Sequence, residues 1–498
     1  MTRSAFSLLG AIAASLLLAS CASRVVVPPA GIEKIQTVVV FYAENRSFDH
    51  LFGRFPGAEG IDAATAEQKT QIDRDGTPLP RLPAAYWNFK VQPEFPASMP
   101  NGPFALDAPP VNLSQDFVTP DPTHSWYQHI AQINGGRNNA FVRITNVGAL
   151  AMGYYDGSRT HLWNWAKQYT LADHFFQGTY GGSYVNHQWL VCACLHAHPD
   201  AADNLRSVLD ENGELKHAEN SPKSALDGPP RWVRSGTVMP KDKGSYAINT
   251  VESSYQPSGI LPPADDFTRA DPARSPLPPL ATRTIGDTLT EKGVRWAWYS
   301  QGWKAANADG MRDPKEKRTV IKAKPINFAP HHSPFNYYQR FAPGSADRET
   351  HLKDRDDFLR DIESGTLPQV VFYKPAGSWA QHSWDSSVTA GDVEIHDIVS
   401  RLVASPQWPH MAIIVTYDEY GGYWDHVPPP MGPGWGDAFG PGSRIPAVII
   451  SPYAKRGFVD KTVYDTTSIQ KFLNRRFGLA PLPGLRENMG DLTAAFAF

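Results

Sequence analysis

The chain has 498 residues, with 47 Lys and Arg against 50 Asp and Glu and a formal net charge of −3. That balance excludes a global electrostatic pull toward nucleic acid. Hydrophobic residues make up 41% of the sequence, ample for a large core, and 44 Pro, 39 Gly and 14 Trp describe long structured loops over it.

In chain order, Met1 to Cys21 reads as a targeting segment. Arg3 gives it a positive start, and the apolar stretch 5–18 is too short for a confident membrane span. It ends Leu18-Ala19-Ser20-Cys21, which resembles the lipobox of bacterial lipoproteins. That resemblance implies cleavage before Cys21, a lipid on its thiol and a place in the bacterial envelope. An ordinary secretory signal is the alternative, and either one exports the protein. Residues 21–34 then form a tether.

Residues 35–42, IQTVVVFY, read as a first buried strand running into Glu44 and Asn45. Residues 54–120 read as a long loop or lid that closes on Pro122-Thr123-His124. Helix and strand signals then alternate. A helix at 161–168 precedes a strand at 169–176, and helices at 284–292, 355–363 and 393–404 precede strands at 294–299, 369–373 and 411–416. A strand at 445–451 and a helix at 467–477 follow. This alternation predicts an α/β fold, a mostly parallel sheet with helices on both faces and its strand carboxyl ends along one rim. Residues 196–283, polar and Pro-rich, interrupt the pattern as a loop-rich insertion over that rim, within one domain spanning 35–498. Cys192 and Cys194 have one residue between them, poor spacing for zinc or a disulfide, and read as buried core thiols.

The strand at 411–416 runs into Asp418, Glu419, Gly421, Gly422, Asp425 and His426. Acid and imidazole groups at the carboxyl end of a buried strand outline a metal or catalytic site. The plain alternative is turn capping. In QGTYGGSYVNHQ, residues 177–188, Ser183 falls at the start of a helix expected over 184–193. Unpaired N–H groups and the helix dipole there favour an alkoxide or a phosphate. A serine beside a divalent cation can lose its proton without a histidine base. A structural N-cap is the alternative role for Ser183, and Thr179 the second candidate. Val185 in the second-glycine place excludes a G-x-S-x-G elbow. His124, His331, His332 and His382 all fall in loops near the same rim, where imidazoles can neutralise phosphate oxygens and protonate a leaving oxygen.

ENRSFDHLFG at 44–53, TYDEYGGYWDHVPPP at 416–430, SRIPAVIISPYAKRGFVD at 443–460 and YDTTSIQKFL at 464–473 together resemble the bacterial phosphoesterase family of phospholipases C and acid phosphatases. The resemblance implies an alkaline-phosphatase-like α/β core and hydrolysis of phosphate esters through a Ser or Thr nucleophile and a phospho-enzyme. Carried over by position, Glu44, Asn45, Asp418 and Glu419 correspond to ligands of one divalent metal ion, and Ser183 to the nucleophile. Asn186 and His331 correspond to substrate-binding residues, and His124, His332 and His382 to catalytic ones. GGSYVNH departs from the GPT-x-PN type of phospholipase C relatives and favours the acid phosphatase branch, acting on phosphomonoesters. A phospholipase C-type phosphodiesterase is the alternative, and a non-catalytic surface lipoprotein a third reading. The expected partners are a phosphorylated small-molecule or lipid substrate and, through the N-terminal lipid anchor, a membrane. No nucleic acid is expected.

Overall fold

A computed structural model describes residues 30–321, 323 and 327–498. The targeting segment, Cys21 and the start of the tether lie outside the described residues. Eight strands form the central sheet: β1 (Thr37–Ala43), β2 (Thr170–Phe176), β3 (Trp296–Ser300), β4 (Leu352–Asp354), β5 (Val370–Lys374), β6 (Met411–Tyr417), β7 (Ala447–Ile450) and β8 (Phe458–Asp465). Their order across the sheet is β8-β2-β7-β6-β1-β5-β3-β4. All run parallel except β7, which is antiparallel to both of its neighbours. The fold is α/β with a mostly parallel sheet, as expected. Every residue of β1 and β6 is buried. Strands covered on both faces need continuous apolar runs, and VVVFY and MAIIV supply them.

The expected helices form as α1 (His161–Gln168), α2 (Ser183–Cys192), α3 (Ile285–Glu291), α4 (Arg355–Ser364), α5 (Val388–Ala404) and α6 (Thr466–Phe477). The largest boundary difference is at α5. It starts five residues before the expected position because the Ser387 side chain caps it, accepting from the Ala390 N–H.

Several expectations are corrected. The antiparallel β7 brings its amino end, not its carboxyl end, to the functional rim, together with Arg444. β8 escapes a hydrophobic reading because FVDKTVYD is charged and largely half-exposed. The tether is shorter than 21–34, since Ile32 is already in the core at 3% exposure. Residues 54–120 carry only short elements, but Leu82 and Leu106 are fully buried, so this stretch packs against the body of the protein. Cys192 and Cys194 are joined in a disulfide with Cα atoms 5.2 Å apart. Ala193 makes this possible: it ends α2 in the left-handed conformation (φ 50°) and turns the two flanking side chains toward each other. The insertion 196–283 forms turns and isolated bridges, and its Val238, Ala247 and Ile248 join the common core. Among the described residues no helix is long and apolar enough to cross a membrane.

Candidate active site

The parallel register pairs Ala43 of β1 with Tyr417 of β6, so the residues that follow them emerge side by side. Backbone bonds extend the pairing past the strands: the Asp418 N–H donates to the Ala43 carbonyl at 3.0 Å and the Arg46 N–H to the Glu419 carbonyl at 3.0 Å. Between them Asn45 turns in the left-handed region, φ 54°, which asparagine tolerates better than most residues. Gly421 lets the second strand end fold back, with φ 66° and room for a Cβ only 2.2 Å from the Asn45 carbonyl oxygen.

Glu44, Asn45, Asp418 and Glu419 are all 0% exposed. Two of the carboxylates spend one oxygen on the backbone. Asp418 Oδ1 accepts from the N–H groups of Asn45 and Glu419 at 3.1 and 2.8 Å, and Glu419 Oε2 accepts from the Gly421 N–H at 2.8 Å. Their other oxygens face inward. Ser183, the first residue of α2, lies among them. Its Oγ is 3.1 Å from Glu44 Oε2, 3.3 Å from Asn45 Oδ1 and 3.5 Å from Glu419 Oε1.

Burial pushes the Asp418 and Glu419 carboxyls well above their ordinary range, and the neighbouring Glu44 charge adds to both. Burial acts on Glu44 in the same direction, but Lys374, His187 and His382 outweigh it and hold Glu44 at about 2. Lys374, the last residue of β5 and 2% exposed, contacts Glu44 Oε1 and donates to the Tyr42 carbonyl at 3.1 Å. His187 lies one helical turn after Ser183, donates from Nδ1 to the Ser183 carbonyl at 2.8 Å, and is 3.7 Å from Asp418 Oδ2. Burial and then Lys374 drive its pKa down to about 3, so the ring is neutral. His332 stacks on it at 4.9 Å and reaches Glu44 Oε1 at 3.3 Å. Sequence reading passed over Lys374 and His187. The signals were there: a lysine closing the apolar run VVFYK, and a histidine four residues after Ser183 on the same helix face.

A pocket of about 210 Å³ opens on Ser183, lined by His124, Gly182, Asn249, Thr250, His331 and His382 among others. Four residues singled out in the sequence therefore share one cavity: Ser183, His124, His331 and His382. His124 Nε2 is 3.4 Å from Glu419 Oε1, and its Nδ1 donates to the Pro122 carbonyl at 2.7 Å. Asn249 and Thr250 come from the insertion, where no local pattern marked them. Asn186 is placed differently from the expectation. Its Oδ1 accepts from the Thr179 N–H at 3.1 Å, and its Nδ2 donates to the Gly181 and Gly182 carbonyls at 3.2 and 3.1 Å. It thus shapes the turn into α2 and is not among the residues lining the pocket. Thr179 also points elsewhere, donating its hydroxyl to the Phe439 carbonyl at 2.6 Å.

Asp425 and His426 belong to a second, fully buried cluster. Arg444 bridges Asp49 at 3.1 Å, Asp173 at 3.3 Å and Asp425 at 3.1 Å, and His426 Nδ1 is 2.6 Å from Asp49. Arg444 and His426 face three carboxylates there, and Lys461 reaches Asp173 from outside at 3.8 Å; the cluster braces the segments that carry Glu44 and Glu419.

The donor set at Ser183 fits a hard divalent cation. Three buried carboxylates and an amide oxygen converge, and Asp418 Oδ2 has no hydrogen-bond partner. A serine hydroxyl has one hydrogen, so it cannot satisfy three facing oxygens at once.

The sequence profile of the phosphoesterase family matches residues 35–480. The chain belongs to the phosphoesterase family. Within it, the chain is 25% identical to the hemolytic phospholipase C of Pseudomonas aeruginosa, over 94% of this chain and 56% of that one. It therefore spans little more than half of that relative's length. It is also 25% identical to phospholipase C A of Mycobacterium tuberculosis, over 94% of this chain and 78% of that one. Among solved structures it is similar to a protein of the alkaline phosphatase superfamily from Vibrio parahaemolyticus, with 11% identity, 77% and 76% of the two chains covered, and a TM-score of 0.32. This phosphoesterase thus has phospholipases C among its relatives over most of its length.

Proposed function

We propose that the protein hydrolyses phosphate esters with Ser183 as nucleophile. The observation that carries this reading is the Ser183 hydroxyl set within 3.1–3.5 Å of Glu44, Asn45 and Glu419 at the floor of a histidine-lined pocket. Glu44, Asn45, Asp418 and Glu419 would hold a divalent cation. When bound, it supplies positive charge that favours the serine alkoxide and the phosphate oxygens.

The chain's own residues do the rest. Glu44 Oε2 accepts the Ser183 hydroxyl hydrogen and fixes the direction of Oγ. Oγ forms a bond to phosphorus as the bond to the leaving oxygen breaks, giving a phosphoserine and the alcohol. His124, His331 and His382 surround the phosphoryl group and shield it from bulk water, and an imidazole donates a proton to the leaving oxygen. Water then cleaves the phosphoserine, releasing phosphate and restoring Ser183.

The compact, polar cavity and the GGSYVNH segment support phosphomonoesters as substrates. The phospholipase C relatives favour a second reading, in which the same nucleophile attacks a lipid phosphodiester. The Cys192–Cys194 disulfide supports an oxidising compartment, in keeping with export. The deciding experiment compares p-nitrophenyl phosphate with p-nitrophenylphosphorylcholine on the same preparation, with and without chelator. Faster monoester turnover is expected. A dominant diester rate assigns the protein to phospholipase C chemistry, and no turnover of either removes the catalytic reading.

A further inference from the structure

Among the described residues ten large apolar side chains are exposed, and four of them, Phe89, Val91, Val118 and Trp384, lie on segments joined to one that lines the Ser183 pocket. Phe89 is 50% exposed, Val91 55%, Trp384 48% and Val118 44%. Phe89 and Val91 belong to a small antiparallel hairpin in which Tyr86 pairs with Val91 and Trp87 with Lys90. Its two turn residues, Asn88 and Phe89, both have positive φ, 48° and 62°. Such a two-residue turn is ordinarily built from Asn-Gly. Here a phenylalanine takes the glycine position and projects outward, with the Arg231 guanidinium 4.2 Å from its ring.

The hairpin is joined to the pocket. Trp87 packs on Trp384 with ring centroids 4.4 Å apart. Trp384 lies two residues beyond His382, a pocket-lining residue, and donates its backbone N–H to the Thr119 carbonyl at 2.8 Å, next to Val118. An apolar strip therefore runs from the hairpin tip to the pocket lip, flanked by the exposed Lys90 and by Arg231.

We propose that this hairpin docks on a phospholipid bilayer and sets the pocket mouth against the headgroups. Indole and phenyl rings beside lysine and arginine suit the interface, where rings reach the acyl boundary and cationic ends stay among phosphates. A protein partner would be served by apolar exposure alone. The basic flank and the continuity with a phosphate-handling pocket single out the lipid surface. The purpose of the contact rests on the phosphoesterase reading of that pocket.

The test uses the full chain carrying Cys21→Ala, so that no lipid is attached at that thiol, and phosphatidylcholine–phosphatidylglycerol vesicles with or without brominated acyl chains. Bromine quenches only tryptophans that reach the acyl region. Quenching is expected, with most of it lost in Trp87→Phe/Trp384→Phe and vesicle affinity lowered about tenfold in Phe89→Ser. Lys90→Glu, which leaves the packing intact, should weaken binding to the anionic vesicles several-fold. Hydrolysis of soluble p-nitrophenyl phosphate should be unchanged in Phe89→Ser and Lys90→Glu. Absent quenching, or quenching equal in all variants, overturns the proposal, and so does a dimer in light scattering that Phe89→Ser dissociates. If soluble substrate is not hydrolysed by any form, the catalytic reading fails while the quenching result still decides docking.

Discussion

At the scale of single residues, the site turns on one hydrogen and several oxygens. Ser183 Oγ has one hydrogen and can donate to Glu44, while Asn45 Oδ1 and Glu419 Oε1 also face it at 3.3 and 3.5 Å. A cation among these oxygens removes the conflict. Ser183→Ala is therefore expected to lower turnover by about four orders of magnitude or more while leaving the fold intact. Initial rates and a circular-dichroism melt on one preparation check both halves, and retained activity would remove Ser183 from the chemistry. Lys374 offers a contrasting case. It neutralises Glu44 in a region without solvent, so Lys374→Met leaves a buried carboxylate unpaired. A stability loss of about 3–5 kcal/mol is expected in urea unfolding, and added divalent cation should restore part of it. Full stability in Lys374→Met without cation would contradict this account of Glu44. Ser183 was legible in the sequence because glycines and a helix start surround it. Lys374 was not, since its partner Glu44 is 330 positions away.

Two strand ends and a helix start, each fixed by its own sequence, build the site at the scale of elements. All ten residues of α2 are buried, so the helix is a rigid mount for Ser183 and His187. Its entry is tight: a Cβ on Gly182 would lie 3.1 Å from His124 Cδ2. Gly182→Ala should displace His124 and lower kcat by about tenfold or more with little change in stability. A kinetic comparison with His124→Ala tests this, because the two losses should not add. The far end of α2 leads into His196, which bonds the Tyr338 hydroxyl at 3.2 Å. Burial lowers its pKa from 6.5 to about 4. The unfolded chain therefore binds more protons between these values. The stabilisation from keeping His196 neutral is complete above about pH 6.5 and is lost as pH falls toward 4, on the order of 3 kcal/mol in all. Urea midpoints of the wild type and His196→Asn, measured across that window, should converge toward low pH. Parallel curves would exclude His196 as a source of acid sensitivity.

For the whole molecule, the insertion and the sheet share one core, and the insertion adds Asn249 and Thr250 to the lining of the pocket. A cation held at Glu44, Asn45, Asp418 and Glu419, as proposed, would tie the ends of β1 and β6 together and stabilise the native state by mass action. At a hundred times its Kd the gain is about 2.7 kcal/mol. Thermal melts in a divalent-ion series should show a rise in Tm that Asp418→Asn removes, and a flat series in the wild type would argue against the cation site. Taken alone, the amino-acid sequence determined the α/β class, six helices, most strands of the sheet and some of the residues that gather around Ser183. Those features rest on apolar run length, capping side chains and turn residues, which act within a few positions. Tertiary structure alone decided the antiparallel β7, the edge strand β8, the disulfide, the use of Asn186 inside a turn and the arrival of Lys374, Asn249 and Thr250. Each depends on which distant segment, or which backbone turn, lies alongside. Pairing energy and burial choose that partner in three dimensions, and a pattern of neighbouring residues does not carry it.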